Sequence, residues 1–356
     1  MLFRSAPYNG VLTHGFTMDE NGEKMSKSKG NTVDPHQIIK ESGAEIIRLW
    51  AAMVDYSEDQ RIGKTILATT SDAYRKLRNT LRYMLGALAG YSDQEAVALE
   101  DMPPLERYIL HRLQVLDGEV RDAYAAYAFQ DVIRPLIAFC QEDLSALFFD
   151  VRRDALYCDQ PSALRRRAAR TVMDAAFERL TVWLAPLMPF TTEEAWTLRF
   201  PQAGSNALRV FPETPGAWAN PDEAGRWAKV QAVTAVVTGA LEVERREKRL
   251  GAALEAAPVV HISDPALMAA FDGLDPAEVF RTSQATLSVG EGPAHAFRLA
   301  ETPAVAVEPL RAQGQKCARS WRILPEVGGD PRYPDLSLRD AEAVAAWDAA
   351  HGGAGA

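Results

Sequence analysis

The spacing of apolar residues along the chain predicts a protein built mainly from α-helices. Apolar positions recur at three-, four- and seven-residue intervals, which is the pattern of a helix with one buried face. The stretches with this pattern are 34–53, 63–89, 105–126, 128–149, 161–184 and 221–249. Short connections between successive helices are typical of a helical bundle, and we therefore expect a bundle at the centre of the chain.

The pattern changes at both ends of this helical region. Residues 1–33 are rich in glycine, threonine and polar residues and predict strand and loop. Asp34 and Pro35 then have the residue types of a helix N-cap and first helical position, and Gly43 predicts a break between two short helices. After Gly251, predicted strands at 258–262, 285–289 and 304–307 and a helix at 265–271 indicate a small α/β domain. We expect the chain to fray from about residue 342, where it becomes rich in alanine and glycine.

Residues 23–31, ahead of the first helix, show neither the helical nor the strand spacing of apolar residues. This segment contains three lysines and two serines and is bracketed by Gly22 and Gly30. Such a loop suits a polyphosphate, because ammonium groups neutralise phosphate oxygens while hydroxyls and backbone N–H groups complete the shell. For the lysines taken alone, a solvated surface loop is the alternative interpretation.

The order of residues in this loop resembles a known signature. Lys24-Met25-Ser26-Lys27-Ser28, followed by Gly30-Asn31 and Val33-Asp34-Pro35, is similar to the KMSKS motif of class I aminoacyl-tRNA synthetases. The segments that most resemble the isoleucine-specific members are 46–50, 54–59, 73–82, 139–145 and 150–157. The resemblance covers residues 5 to about 348 and implies a C-terminal portion that lacks the N-terminal nucleotide-binding half and the editing domain.

The resemblance also implies a division into three parts. Residues 1–62 would be the end of the catalytic domain with the KMSKS loop, and residues 63–220 a helical anticodon-binding domain. Residues 221–356 would hold a long helix and the small α/β C-terminal domain. The expected fold class is therefore mainly α.

The implied chemistry is the ATP-dependent activation of isoleucine and its transfer to tRNA(Ile), with ATP present as its Mg²⁺ complex. Lys27 would stabilise the departing pyrophosphate and Lys24 would support it. Met25 would lie near the adenine, and Ser26 and Ser28 would shape the loop or donate hydrogen bonds. Because the chain would be incomplete, we expect it to be inactive in isolation. The alternative is a freestanding, non-catalytic tRNA-binding module derived from the synthetase.

Basic residues crowd the polar side of the helix predicted at 63–89. Their spacing fits a solvated face and a surface for the tRNA backbone equally well. The resemblance makes these residues, together with two further basic runs, candidate tRNA contacts: Arg75, Lys76, Arg78, Arg82, Arg165, Arg166, Arg245, Arg246, Lys248 and Arg249.

The C-terminal part departs from its family in one respect. Many bacterial members end in a zinc module with two Cys-x-x-Cys pairs, and these align here with Cys317–Ser320 and Ser337–Asp340. Of these four positions, only Cys317 carries a thiol. Structural zinc takes four thiolate or imidazole ligands, and a serine hydroxyl does not replace a thiolate. We therefore predict no zinc, and we expect packing around Trp321 and the neighbouring proline-rich loops to take its place.

Composition and charge indicate the class of protein and its cellular compartment. Of 356 residues, 47% are hydrophobic and 24% charged, and no apolar run has membrane-spanning length, so we expect a cytoplasmic protein with no membrane partner. Three widely separated cysteines fit a reducing compartment. The net charge of −9 argues against indiscriminate nucleic-acid binding but allows a local basic face. We expect a monomer.

Overall fold

The structure is a computed structural model and describes residues 6–352. Helices account for most of the described chain, which confirms the predicted fold class. The helices are α1 Pro35–Ser42, α2 Ala44–Met53, α3 Lys64–Ala87, α4 Pro104–Ala125, α5 Phe129–Ala138, α6 Phe149–Cys158, α7 Leu164–Leu184, α8 Pro189–Arg199, α9 Pro221–Arg246, α10 Pro265–Ala269, α11 Pro276–Phe280 and α12 Leu338–His351. The strands are β1 Thr17–Met18, β2 Gln60–Arg61, β3 Val259–Ile262, β4 Thr286–Val289, β5 Val305–Glu308, β6 Gln315–Lys316 and β7 Ile323–Leu324.

The start of α1 follows the predicted capping chemistry. Asp34 has an extended backbone, and its Oδ1 accepts a hydrogen bond from the His36 N–H at 2.9 Å. Pro35 occupies the first helical position, where a missing N–H costs no hydrogen bond. Gly43, at φ 89°, separates α1 from α2. The predicted cap and the predicted break are both confirmed.

One helical run is longer than the pattern predicts. It begins with α5, passes through a π-helical segment at Phe139–Phe148, and continues through α6 to Cys158 rather than stopping near residue 149. A π-helical turn is wider than an α-helical one and changes which residues share a face. The 3.6-residue pattern therefore weakens at the point where the helix continues.

The chain divides into two compact units, each assembled from separated segments. The first unit comprises the described residues up to Gly86, together with Leu116–Glu142 and Ala176–Glu213. Its N-terminal part is organised by a small apolar cluster of the buried residues Ile38, Trp50 and Ile62. In the same part, β1 and β2 pair in parallel, with Thr17 opposite Gln60.

Helix α2 is fixed to α8 within this first unit by one carboxylate. Glu45 Oε1 accepts hydrogen bonds from the N–H groups of Phe190 and Thr191 at 2.7 and 2.9 Å. Both groups lie in the first turn of α8, where N–H groups have no partner inside the helix. A side chain of α2 thus caps α8 from outside.

The second unit comprises Ala87–Val115, Asp143–Ala175 and the chain from Thr214 onward. Its sheet has the order β4-β3-β5, with β3 parallel to β4 and antiparallel to β5. Helix α9 contacts β5. The three predicted strands and the predicted long helix are therefore present. The domain boundaries predicted at 62/63 and 220/221 stay predictions.

The C-terminal segment differs from expectation. Helix α12 runs through residues 342–351, where we expected fraying, and Ser337 Oγ accepts from the Asp340 N–H at its start. Alanine has the highest helix propensity, so a capped alanine-rich segment folds as a helix. Residues 353–356 lie outside the described part of the chain. Across residues 6–352, no helix is both long and apolar enough to cross a membrane.

Candidate functional site

The base of the lysine loop is fastened by two residues, Asp19 and Asn31. The Asn31 side-chain amide donates to Asp19 Oδ2 at 2.8 Å, and Asn31 Oδ1 accepts from the Ser26 N–H at 2.9 Å. Asp19 Oδ1 accepts from the N–H groups of Asn21 and Glu23 at 3.0 and 2.8 Å. These bonds join the entry and the exit of the loop, so its two ends are held together.

Asp19 is suited to this role because its carboxylate is stabilised in the charged form. Hydrogen bonds from the Asn31 amide and the Glu23 backbone hold the pKa of Asp19 below its ordinary value, although partial burial opposes the shift. The positive charge of Lys29 adds to the effect. The carboxylate is therefore ionised at neutral pH and can accept all its hydrogen bonds.

Sequence reasoning did not find this anchor. Asp19 lies three residues before Gly22 and Asn31 directly after Gly30, and both glycines have positive φ. Short polar side chains next to glycine are typical of turns. That signal marks both residues as turn-formers, but it does not show that they bind each other across 12 positions.

Met25 ties the first half of the loop to the apolar cluster of Ile38, Trp50 and Ile62, against which it packs half-buried. Ser26 Oγ and Ser28 Oγ lie 3.3 Å apart, and Ser26 Oγ accepts from the Lys29 N–H. The loop is therefore a folded turn. A role of Met25 beside an adenine stays a prediction.

The three lysines of the loop are exposed. The Lys29 ammonium pairs with Glu23 at 3.1 Å. Lys27 begins a turn in which its carbonyl accepts from the Gly30 N–H at 3.3 Å. The structure thus presents Lys24 and Lys27 to solvent, and their roles toward ATP stay predictions.

Helix α3 has an exposed basic face and a buried apolar one. The buried face includes Leu77, Leu81 and Met84. Arg75 pairs with Asp72, and the Lys76 ammonium donates to Gln141 Oε1 at 2.8 Å. Arg78 and Arg82 are exposed and lie one turn apart, on the same side of the helix.

The arginines at the start of α7 are bound within their own unit. Arg165 pairs with Asp159 and Glu278 at 3.0 and 3.3 Å. Arg166 donates to the Leu156 carbonyl at 3.3 Å, and burial together with the charge of Arg170 lowers the pKa of Arg166. Arg170, at a polar position of the same helix, is buried and donates to the carbonyls of Ala87 and Ala89. Contacts of Arg165 and Arg166 with RNA stay predictions.

The basic run at the end of α9, residues 245–249, is partly neutralised by neighbouring acids. Arg245 pairs with Glu242, and Arg249 binds both carboxylate oxygens of Glu244 at 2.6 Å. Arg246 and Lys248 are exposed. These four residues also remain candidate RNA contacts by sequence alone.

The residues at the four zinc-ligand positions of the family converge in the second unit, but they do not fit a zinc ion. Cys317 Sγ donates directly to Asp340 Oδ2 at 3.0 Å. Zinc bonds of about 2.3 Å to sulfur and about 2.0 Å to oxygen would hold two tetrahedral ligands about 3.5 Å apart. Within residues 6–352, no group of three or more His, Cys, Asp or Glu is placed to hold a metal. The prediction that the protein contains no zinc stays a prediction.

The expected replacement for the metal is wrong for Trp321 but is found in the neighbouring loops. Trp321 is 62% exposed, so packing around its ring does not close the module. Val327 and Leu336 of these loops form a buried apolar cluster with Cys317 and Ala341, and Leu324 and Tyr333 pack against it.

Comparisons with known proteins assign two parts of the chain. Residues 1–63 match the family model of class I tRNA synthetases (I, L, M and V), and residues 106–260 match that of the anticodon-binding domain of tRNA ligase. The isoleucine–tRNA ligase of Caulobacter vibrioides is 70% identical over 348 residues, which are 98% of this chain and 36% of that protein. The isoleucine–tRNA ligase of Agrobacterium fabrum is 57% identical over 95% of this chain and 35% of that protein.

A solved structure, the LeuRS–tRNA–LeuAMS ternary complex of Agrobacterium radiobacter K84, is more distant. It is 20% identical, with a TM-score of 0.46, over 58% of this chain and 24% of that one. This likeness is too low to support an inference.

The chain spans about a third of the length of the curated relatives that it matches. Within that third the agreement is nearly continuous. The class I model ends at residue 63, past the lysine loop, and the anticodon-binding model covers residues of α4 to α9. With identities of 70% and 57% to two isoleucine–tRNA ligases, the chain belongs to the isoleucine–tRNA ligase family of class I tRNA synthetases.

Proposed function

We propose that this chain supplies the ATP-phosphate-binding loop and the tRNA-binding modules of an isoleucine–tRNA ligase. The complete reaction activates isoleucine with Mg²⁺-bound ATP and transfers it to tRNA(Ile), in a monomeric cytoplasmic enzyme. The observation that carries the proposal is the loop at residues 24–28, with a fastened base and exposed Lys24 and Lys27, in a chain 70% identical to such a ligase.

The loop's contribution to the first step is electrostatic. An isoleucine carboxylate oxygen forms a bond to the α-phosphorus of ATP, and the bond from that phosphorus to the bridging oxygen breaks. Pyrophosphate leaves with the electron pair, so negative charge grows on the group that Lys27 faces, and Lys24 adds a second positive charge. Ser26 and Ser28 donate hydrogen bonds to phosphate oxygens. The attacking carboxylate is already ionised, so the step needs no general base.

The tRNA is held by the helical modules. Arg78 and Arg82 on α3 are exposed and lie on one side of the helix, where each can neutralise a backbone phosphate. The basic residues at the start of α7 and at the end of α9 are further candidates. The net charge of −9 keeps the rest of the surface unattractive to RNA.

The loop is tested in a chimera in which this chain replaces the matching segment of the Caulobacter vibrioides ligase. Lys27→Ala in that chimera should slow isoleucine-dependent ATP–pyrophosphate exchange more than tenfold, about 1.4 kcal/mol or more of transition-state stabilisation. Binding of tRNA should change little, because the loop lies apart in sequence from the proposed RNA contacts.

Lys40→Ala is the matched control, since Lys40 is an exposed lysine in the helix that follows the loop. It should leave exchange within about twofold of the unsubstituted chimera. Equal exchange rates in the Lys27→Ala and Lys40→Ala chimeras would refute the role of Lys27. A chimera without exchange activity before any substitution would refute the proposed function itself.

A further inference from the structure

The four positions that correspond to the family's zinc ligands enclose a buried carboxylate in this chain. Cys317 and Ser320 lie in the connection between β6 and β7, and Ser337 and Asp340 lie at the start of α12. Cys317, Ser337 and Asp340 are each at most 2% exposed. The β6–β7 connection and the start of α12 thus meet inside the second unit.

Asp340 is the centre of the contacts at this point. Its Oδ2 accepts from Cys317 Sγ at 3.0 Å and from Ser337 Oγ at 2.8 Å. Its Oδ1 accepts from Arg319 at 3.1 Å and from Arg339 at 3.2 Å. Cys317 Sγ in turn accepts from the Ser337 N–H at 3.3 Å. Strands β6 and β7 pair antiparallel as a hairpin, and these direct hydrogen bonds join that hairpin to α12.

The arginines extend these contacts to α6. Arg319 also donates to the Tyr157 carbonyl at 3.0 Å, and Arg339 pairs with Asp154. Burial opposes ionisation of Asp340, but the surrounding hydroxyl and thiol groups and the Arg339 charge outweigh it, so the pKa of Asp340 lies below its ordinary value. The carboxylate is charged and multiply hydrogen-bonded, as a buried anion must be.

The polarity of this centre is the reverse of that of a zinc site. A four-thiolate site places a cation between anionic ligands. Here the anion is one of the four residues, and neutral thiol and hydroxyl donors and two guanidinium groups surround it. The Ser320 hydroxyl is also buried, and together with the Cys317 thiol and the Ser337 hydroxyl it lowers the pKa of Asp340.

We propose that Asp340 is the organising centre of the module formed by residues 315–351, holding the β6–β7 hairpin on α12 in place of a metal ion. A simpler alternative is that Ser337 and Asp340 form an ordinary helix capping box. The two interpretations differ in which segments Asp340 stabilises. A capping box stabilises the first turn of α12 alone, whereas the proposed centre also stabilises the hairpin through Cys317 and Arg319.

Amide hydrogen exchange on the full 356-residue chain separates these outcomes. Asp340→Asn should lower protection at least tenfold in the hairpin at residues 315–324 as well as in α12. Asp330→Asn is the matched control, because Asp330 is in the same module and pairs with the exposed Arg332. Loss confined to α12, or equal protection in the two variants, would overturn the proposal.

A second variant tests the convergence of the four positions. Ser320→Cys/Ser337→Cys/Asp340→Cys places four thiols where Cys317 now stands alone, and it should take up one zinc per chain and regain hairpin protection. Removal of that zinc by a chelator should abolish the protection again. A folded triple variant that takes up no zinc at micromolar concentration would overturn the proposal, as would chelator-sensitive protection in the unsubstituted chain.

Discussion

At the scale of single residues, the lysine loop depends on groups that carry no positive charge. Asp19 and Asn31 hold its ends together, and Met25 holds its first half on the apolar cluster. The cationic side chains are left to solvent. The proposed phosphate-binding role requires such a division between fastening residues and cationic residues, because misplaced charges contribute little to catalysis.

The Asp19 anchor has a defined pH dependence. A carboxylate whose pKa is lowered by folding contributes stability above its unfolded pKa, and the contribution is lost as pH falls through the lower, folded value. The anchor should therefore be unchanged from pH 5 to 8 and be lost below pH 3.8, the ordinary value for Asp. The side-chain amide resonance of Asn31, in protein labelled with ¹⁵N-asparagine, should titrate with its midpoint below that value.

Asp19→Ala supplies the control, since it should abolish this titration of the Asn31 amide. A midpoint at or above pH 3.8 in the unsubstituted chain would show that the hydrogen bonds do not stabilise the charged carboxylate.

At the scale of elements, helices were predictable where apolar period and capping residues agree. Asp34, Pro35 and Gly43 mark the bounds of α1 from sequence alone, and α3 begins and ends within two residues of its predicted bounds. Arg170 shows where this reasoning fails. A charged residue at a polar helix position can face water or a loop, and the pattern cannot show that the carbonyls of Ala87 and Ala89 cover it.

The same limit applies to contacts between elements. The cap that Glu45 supplies to α8 joins residues 145 positions apart, and no periodicity encodes it. Sequence reasoning found the lysine loop because its residues are adjacent, and it missed the Asp340 centre because that centre forms only when two elements meet.

Helix α3 provides the test of RNA binding. Arg78→Glu/Arg82→Glu should weaken binding of tRNA(Ile) by the 356-residue chain at least tenfold, and it should lower the slope of log affinity against log salt by about 2. Filter binding over a range of salt concentrations measures both quantities. The reason is the loss of two phosphate contacts and the introduction of two repulsive charges.

Lys40→Glu/Lys64→Glu is the matched control, because it changes charge equally at two exposed lysines outside the candidate contacts. If the two double variants lose affinity to the same extent, general electrostatics and not the α3 face accounts for binding.

At the scale of the whole molecule, one buried ion cluster joins all three chain segments of the second unit. Arg152 binds both carboxylate oxygens of Glu106 at 2.6 and 2.7 Å and contacts Glu278 at 2.8 Å. Glu106 is fully buried. Burial disfavours the charged guanidinium, but the two carboxylates outweigh it, so the pKa of Arg152 lies above its ordinary value.

Removal of one partner should therefore be costly. Glu106→Gln leaves Arg152 buried without its main counter-charge, and we expect a loss of about 3–5 kcal/mol in the free energy of unfolding of this unit. Urea denaturation, with hydrogen exchange of the α6 amides as the probe, measures this loss in the free energy of unfolding. Glu100→Gln, at an exposed position in the connection before α4, should change the free energy of unfolding by less than about 0.5 kcal/mol. Comparable losses in the two variants would exclude a central role for the cluster.

The packing of Met25 against the apolar cluster affects the affinity that the loop could have for a nucleotide. Met25 is packed, Ser26 is bonded to Asn31, and the Gly30 N–H is bonded to the Lys27 carbonyl, so the loop is folded without a ligand. Immobilising a backbone residue costs about 1–2 kcal/mol. Binding of a triphosphate to a loop that is already folded therefore avoids the entropic cost of ordering that loop. A substitution that removes the packing of Met25 would therefore weaken ATP affinity although all three lysines of the loop were unchanged.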